Sequence, residues 1–335
     1  MNDRNSKKDA FSRREFLGAT GSGTALAWAG SGSYSNAGAE GPLARRKLGK
    51  TGVKVPILGL GTAPAGTRSR KEAAWFFHKA IDAGVTYLDT APEFAGYGIA
   101  QKALGDVLKH RRPDAFVVTK CFEPDGEKAL ALLKRNLKEL QTDRVDLVYA
   151  HSIGDAKMDL DIVLGSRGVM HALEKARRDG LCRFIGISGH NRPEKFLKVM
   201  DDFDIQVMMN AVNYVIRHVY NFEERVWPEA RRRDIGLVAM KVLGGMYRSE
   251  ADPQCKPKAK GGRIRGARVR SAIRYALDLP AVSTAVLGCY NLHELHQAMR
   301  WVRAFQPLSG DERQKLLAEG QRISEEWGAV HGPVR

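Results

Sequence analysis

Short apolar runs rich in β-branched residues alternate with amphipathic segments along most of the chain. The runs fall at 57–60, 85–88, 115–119, 145–150, 183–187, 205–212, 235–240 and 282–287. Between them, apolar residues recur every three or four positions near 71–83, 98–110, 127–140, 166–179, 192–202, 222–233, 267–277 and 291–304. The first pattern predicts buried strands and the second predicts helices with one face on a core. A strand regularly followed by a helix implies a parallel sheet covered by helices. Eight such units in about 250 residues point to a closed (β/α)8 barrel. A doubly wound open sheet is the alternative, and it needs a Gly-x-Gly-x-x-Gly turn after its first strand. That strand ends Gly59-Leu60-Gly61-Thr62-Ala63 and lacks the third glycine. Ahead of it, Leu48-Gly49-Lys50-Thr51-Gly52-Val53 reads as a hairpin turn. At the other end 309–327 predicts an extra C-terminal helix, opened by Ser309 with Glu312 as a capping box.

Composition narrows the class. A hydrophobic fraction of 43% in 335 residues supports a sizeable core and excludes a disordered chain. The absence of a long apolar run excludes a multispan membrane protein. The first forty residues read as an address. Lys7 and Lys8 precede the twin-arginine pattern Ser12-Arg13-Arg14-Glu15-Phe16-Leu17, a weakly apolar stretch follows to about Gly30, and Ala37-Gly38-Ala39 resembles a cleavage site. Residues 1–39 are therefore expected to be a twin-arginine signal peptide. The mature chain would span 40–335, without a membrane span, handed to the twin-arginine export machinery after folding in the cytoplasm and ending in the periplasm or otherwise outside. The formal charge of +16 becomes (54 − 5) − (38 − 3) = +14 after removal of the signal, so the excess belongs to the mature protein. Cys121, Cys182, Cys255 and Cys289 are widely spaced, without Cys-x-x-Cys or zinc spacing, and read as small buried residues.

Chemistry in such a barrel gathers where strands end. Strand two ends Tyr87-Leu88-Asp89-Thr90-Ala91, strand three Val118-Thr119-Lys120, and strand four Tyr149-Ala150-His151. Each polar residue alone has an ordinary structural use. Together they put an acid, an amine and an imidazole on one rim. With Leu58-Gly59-Leu60-Gly61-Thr62, Asp146 to His151, and Ile185-Gly186-Ile187-Ser188 in order, the chain resembles the aldo-keto reductases over about residues 45–305. The resemblance implies a barrel that binds NAD or NADP, a hydride transfer to an aldehyde or ketone, and a Tyr, Asp, Lys, His tetrad. Hydride arriving at a carbonyl carbon leaves negative charge on oxygen, and a donor must answer it. On this reading Lys120, held by Asp89, lowers the pKa of a tyrosine near its ordinary value of about 10, and His151 orients the carbonyl.

The tyrosine is where the sequence departs from the pattern. The family's Asp-Thr-Ala-x-x-Tyr-Gly run would place it at Phe94. Tyr97-Gly98 comes three residues later, after what reads as an insertion, Phe94-Ala95-Gly96. Either Tyr97 enters the site or Phe94 keeps the position and the acid is lost. The resemblance also assigns cofactor contacts to Gly61, Thr62, Ser188, Asn210, Met240, Lys241, Leu243, Gly288 and Asn291. Asn210 is the nearest amide to the family's glutamine, and Glu294 stands where an arginine often meets the 2′-phosphate. From Pro253 to Leu277 no acid occurs, while Lys256, Lys258, Lys260, Arg263, Arg265, Arg268, Arg270 and Arg274 do. That span reads as a solvated basic loop, a lid over the pyrophosphate, or a dock for an acidic substrate or partner. Nucleic acid is not expected, because no aromatic-interleaved motif accompanies the charges. The sequence thus predicts an exported nicotinamide-dependent oxidoreductase with a small carbonyl substrate. A non-catalytic dinucleotide-binding sensor is the other reading.

Overall fold

A computed structural model describes residues 41–245 and 262–335. The expected signal peptide, Cys255, Lys256, Lys258 and Lys260 lie outside the described residues.

The chain enters through a hairpin of β1 (Arg45–Lys47) and β2 (Lys54–Pro56), paired antiparallel with Arg45 opposite Pro56. Eight strands follow: β3 (Leu58–Gly61), β4 (Tyr87–Asp89), β5 (Phe116–Cys121), β6 (Val145–His151), β7 (Cys182–Gly189), β8 (Val207–Ala211), β9 (Gly236–Met240) and β10 (Val282–Gly288). Each pairs with the next in parallel, and β10 returns to β3 to close the barrel. Every predicted run overlaps one of these strands, so the (β/α)8 barrel with its N-terminal hairpin stands.

Period-two alternation separates two cores. Tyr87, Phe116, Val118, Leu147, Tyr149, Val207, Met209, Val238 and Val286 point inward. Leu48 and Val55 of the hairpin join that inner cluster, and Leu48 is fully buried. The hairpin thereby plugs the floor of the barrel, and burying Leu48 contributes about 1.5–3 kcal/mol. The residues between those inward positions face the helices and build the larger outer core.

The helices are α1 (Arg70–Asp82), α2 (Ala100–Arg111), α3 (Gly126–Leu140), α4 (Leu160–Leu164), α5 (Val169–Arg178), α6 (Pro193–Asp202), α7 (Phe222–Arg225), α8 (Trp227–Arg232), α9 (Arg268–Asp278), α10 (Leu292–Arg303) and α11 (Gly310–Trp327). Two differ from expectation. The segment 222–233 is two helices, because Pro228 lacks an N–H and its ring clashes with the preceding turn of a continuous helix. The short α4, capped by the Asp159 side chain, precedes α5 and left no clear period in the sequence. Ser309 and Glu312 form both halves of the expected capping box on α11.

Cys121, Cys182 and Cys289 are buried free thiols, as their spacing suggested. Burial raises all three pKa values, those of Cys182 and Cys289 to about 12. Among the described residues no helix is long and apolar enough to cross a membrane.

Candidate active site

The strand register carries the chemistry. Asp89, Lys120 and His151 continue the inward-facing parity of β4, β5 and β6 at their C-terminal ends. Each therefore projects into the mouth of the barrel, where a cleft of about 660 Å³ opens. Lys120 is 1% exposed and Asp89 3%. The lysine Nζ lies 2.7 and 2.8 Å from the two Asp89 carboxylate oxygens, 2.9 Å from the Thr90 carbonyl and 3.2 Å from the Tyr97 hydroxyl. Thr62, expected at the cofactor, does not line the cleft. Its N–H and hydroxyl both donate to the Asp89 carbonyl at 2.9 and 3.1 Å, which pins the strand end that carries the acid.

Tyr97 reaches this pair through an unusual loop. Residues Glu93–Ala95 coil into one 3-10 turn, Gly96 reverses direction at φ +83°, and α2 begins at Ala100. The extra residues are absorbed in that coil, which is why the next helix starts with little delay. The following backbone lies directly on the turn after β3. Ile99 N–H donates to the Gly66 carbonyl at 3.2 Å, and a Cβ on Gly66 would stand 1.8 Å from the Tyr97 carbonyl oxygen. Gly98, at φ +49°, tolerates the same contact from the other side. So held, the Tyr97 hydroxyl donates to Asp89 at 3.3 Å and the lysine lies 4.9 Å above its ring. Phe94 stands on the rim, 58% exposed. Of the two positions left open by the sequence, the structure brings Tyr97 to the acid and the amine.

The electrostatics differ from expectation in one respect. Lys120 does not bring the tyrosine pKa below its ordinary value. Burial of the phenol, reinforced by the Asp89 charge, raises it well above its ordinary value. The ammonium is already answered by both carboxylate oxygens, so its field does not outweigh the burial of the phenol. Burial also lowers the Lys120 pKa and raises that of Asp89, each shift opposed by the partner. A phenol held protonated is a hydrogen-bond and proton donor, which is the form that an acid needs.

His151 is kept neutral, chiefly by burial and then by Lys120, Lys241 and Lys157. Its Nδ1 is 2.7 Å from the Ser188 hydroxyl. Ser188, expected at the cofactor, is thus turned to the histidine and does not line the cleft. Asn210 is also absent from the cleft. It follows inward-facing Met209, so parity turns it outward, and its Oδ1 accepts the Trp227 indole N–H at 2.9 Å. Asn291 caps α10 by accepting the Glu294 N–H, and Glu294 in turn accepts the Tyr290 N–H. The remaining expected cofactor residues, Gly61, Met240, Lys241, Leu243 and Gly288, do line the cleft.

Several lining residues escaped the sequence reading: Phe122, Lys157, His190 and Tyr290. Strand parity could have found two of them, since Phe122 follows Lys120 by two positions and His190 follows Ser188 by two. Of the basic span, Arg268 and Arg274 pair with Glu319 and Glu312 of α11, away from the site. Arg263 alone of the described cations in that span reaches the cleft, its guanidinium 5.8 Å from the Tyr290 ring.

A sequence model of the aldo/keto reductase family matches residues 57–265. The chain belongs to that family. Its relatives include L-galactose dehydrogenase of Arabidopsis thaliana, 25% identical over 313 residues, covering 84% of this chain and 94% of the relative. D-threo-aldose 1-dehydrogenase of a Pseudomonas species is 27% identical over 248 residues, covering 64% and 73%. Among solved structures, an aldo-keto reductase assigned as such in Pseudomonas aeruginosa is 28% identical, with a TM-score of 0.63 over 80% of this chain and 98% of that one. Membership makes this aldo/keto reductase a nicotinamide-dependent oxidoreductase of carbonyl compounds. The sensor reading, which leaned on Phe94, is not favoured.

Proposed function

We propose that this aldo/keto reductase is exported by the twin-arginine route and interconverts a carbonyl and an alcohol with NAD or NADP held in the barrel mouth. The observation that carries the reading is the Tyr97 hydroxyl within hydrogen-bond reach of a buried Lys120–Asp89 pair.

The cleft suits a dinucleotide on chemical grounds. Lys241 is partly buried, at φ +55°, and makes no ion pair among the described residues. Burial, then Lys120, depresses its pKa, so an anion would satisfy it. Gly244, Gly245 and Gly288 leave room beside it, and Arg263 adds a second cation. These residues would hold the pyrophosphate, and Met240 would floor the nicotinamide with a pliable thioether. When bound, the nicotinamide supplies or accepts the hydride. The chain does the rest. Tyr97 donates its proton, or a hydrogen bond, to the carbonyl oxygen as charge grows there. Lys120 then faces the new phenolate at hydrogen-bond distance, and its ammonium stabilises it. His151 aims its Nε2 at the same oxygen. For Nε2 to carry the proton, the Ser188 hydroxyl must donate to Nδ1, which makes Ser188 a positioning residue.

Ser188→Ala is therefore expected to lower kcat by about tenfold, the cost of one hydrogen bond, and to leave the dinucleotide Kd unchanged. Weaker dinucleotide binding at unaltered kcat would return Ser188 to the cofactor. The whole reading is tested on protein made with its own N-terminus and collected by osmotic shock. That protein should begin at Glu40, release a nicotinamide dinucleotide on denaturation, and oxidise the reduced form when an aldehyde is added. Retention in the cytoplasm with residues 1–39 intact would sink export. Release of dinucleotide without aldehyde-dependent oxidation would favour the sensor.

A further inference from the structure

Basic side chains also gather at the other end of the barrel. Strand β6 runs from Val145 to His151, so its floor end lies roughly 20 Å from the catalytic mouth. Beside the hairpin a second cleft of about 690 Å³ opens there, lined by Arg45, Lys54, Arg112, Arg144 and Arg183. Asp146, buried at the start of β6, organises two of them. One of its carboxylate oxygens accepts Arg183 at 2.8 Å, and the other accepts the Val117 N–H and Arg112 at 2.8 Å each. Arg112 is spent on structure, because it also donates to the Ala115 and Arg144 carbonyls at 2.9 and 3.1 Å. Arg183 gives one nitrogen to Asp146 and lies 5.1 Å from the centre of the Phe184 ring. Phe184 stacks on Phe116, an inner-core residue that lines the same cleft, so the guanidinium rests on an aromatic base. Arg45 crosses the hairpin to the Lys54 carbonyl at 2.6 Å. Arg45, Lys54 and Arg144 are exposed and make no ion pair among the described residues. Of the other lining carboxylates, Asp114 pairs with Arg111, and only Asp143 is left to oppose them.

We propose that this floor cleft is a second ligand site, separate from the catalytic mouth, and that it binds a polyphosphate anion of two or three phosphoryl units. Guanidinium forks match the paired oxygens of a phosphoryl group, and Lys54 adds a point charge. The cations left for a ligand come from three segments: the hairpin, the loop before β6 and the start of β7. An anion with its charge spread along a chain suits that spread better than one compact carboxylate does. A neutral ligand would leave the cations unanswered, and Asp143 offsets only one of them. Arg45 and Lys54 belong to the hairpin that plugs the floor, whereas Arg144 and Arg183 belong to the barrel. A bound anion therefore ties the plug to the barrel, and the melting temperature should rise with its concentration.

The test titrates tripolyphosphate calorimetrically into the full chain loaded with one equivalent of NADPH, which occupies the cations of the mouth. The wild type should show one saturable event that weakens as salt is raised. The triple variant Arg45→Gln, Lys54→Gln, Arg144→Gln should raise the Kd by about tenfold or more, since even one charge-assisted hydrogen bond is worth about that. A control variant removes the same charge elsewhere, through Lys71→Gln on α1, Lys128→Gln on α3 and Lys315→Gln on α11. Its Kd should stay within about twofold of the wild type. All six side chains are exposed, so both variants should fold, and their melting curves without ligand check this. Undiminished binding in the floor variant places the anion elsewhere and overturns the proposal. An equal loss in both variants, or no saturable binding to the wild type, reduces the cleft to general surface charge and overturns it too.

Discussion

Tyr97→Phe is expected to lower kcat by a factor on the order of 10²–10⁴, the range for loss of a positioned general acid. The substitution removes one oxygen and keeps the ring that packs under the Lys120 ammonium. Asp89 remains paired with Lys120 through both carboxylate oxygens, so the thermal midpoint should move little. KM for the aldehyde should change less than kcat, because the phenol acts chiefly as negative charge develops on the carbonyl oxygen. The measurement is steady-state turnover of a reactive aldehyde at saturating dinucleotide, beside a melting curve. Unchanged turnover in a folded variant would mean that another group, or water, supplies the proton. Phe94→Tyr, by contrast, should not rescue Y97F, since position 94 stands on the rim at 58% exposure.

Lys120→Met should abolish turnover and also destabilise the fold by about 3–5 kcal/mol, as expected when one partner of a buried ion pair is removed. Lys120 is 1% exposed and Asp89 3%, so the variant strands a carboxylate away from water. Asp89→Asn with Lys120→Met removes both charges and should recover much of the stability while remaining inactive. Denaturant titration separates the two variants from the wild type. The single variant should also change its pH dependence. Burial already raises the Asp89 pKa, and Lys120 opposes that rise. Without the lysine, the native state holds its proton at a pH where the unfolded carboxyl, with a pKa of about 3.9, has lost it. The native state then binds more protons, so its stability falls as pH rises. The deficit against wild type is therefore largest at neutral pH and narrows as pH falls toward about 4. A deficit that grew on acidification would contradict the assignment of the stranded charge to Asp89.

Much of this site was legible because strands have a period of two. Once a strand ends Leu88-Asp89, Thr119-Lys120 or Ala150-His151, the direction of its last polar residue follows from the inward residues two positions before it. The same rule would have turned Asn210 outward, had the register of β8 been fixed by its neighbours, and would have turned His190 inward. Tyr97 was not legible, because its place depends on a backbone contact with Gly66, thirty-one residues earlier in a different loop. Nothing in the local run around Asp89 encodes that contact. Spacing left Phe94 and Tyr97 equally eligible. Thr62 and Ser188 read from the sequence as cofactor contacts. Their hydroxyls turn to Asp89 and His151, and a short polar side chain at a strand end offers no periodic signal to separate the two uses.

Because the backbone at Gly66 and Gly98 fixes the hydroxyl, residues 92–96 are released from that duty. They can lengthen, shorten or change composition without moving the acid, as long as the two glycines stay. The rim and the reacting centre can therefore evolve at separate rates, one exploring new substrates while the other stays constant. A methyl group added at position 66 would tie them together again.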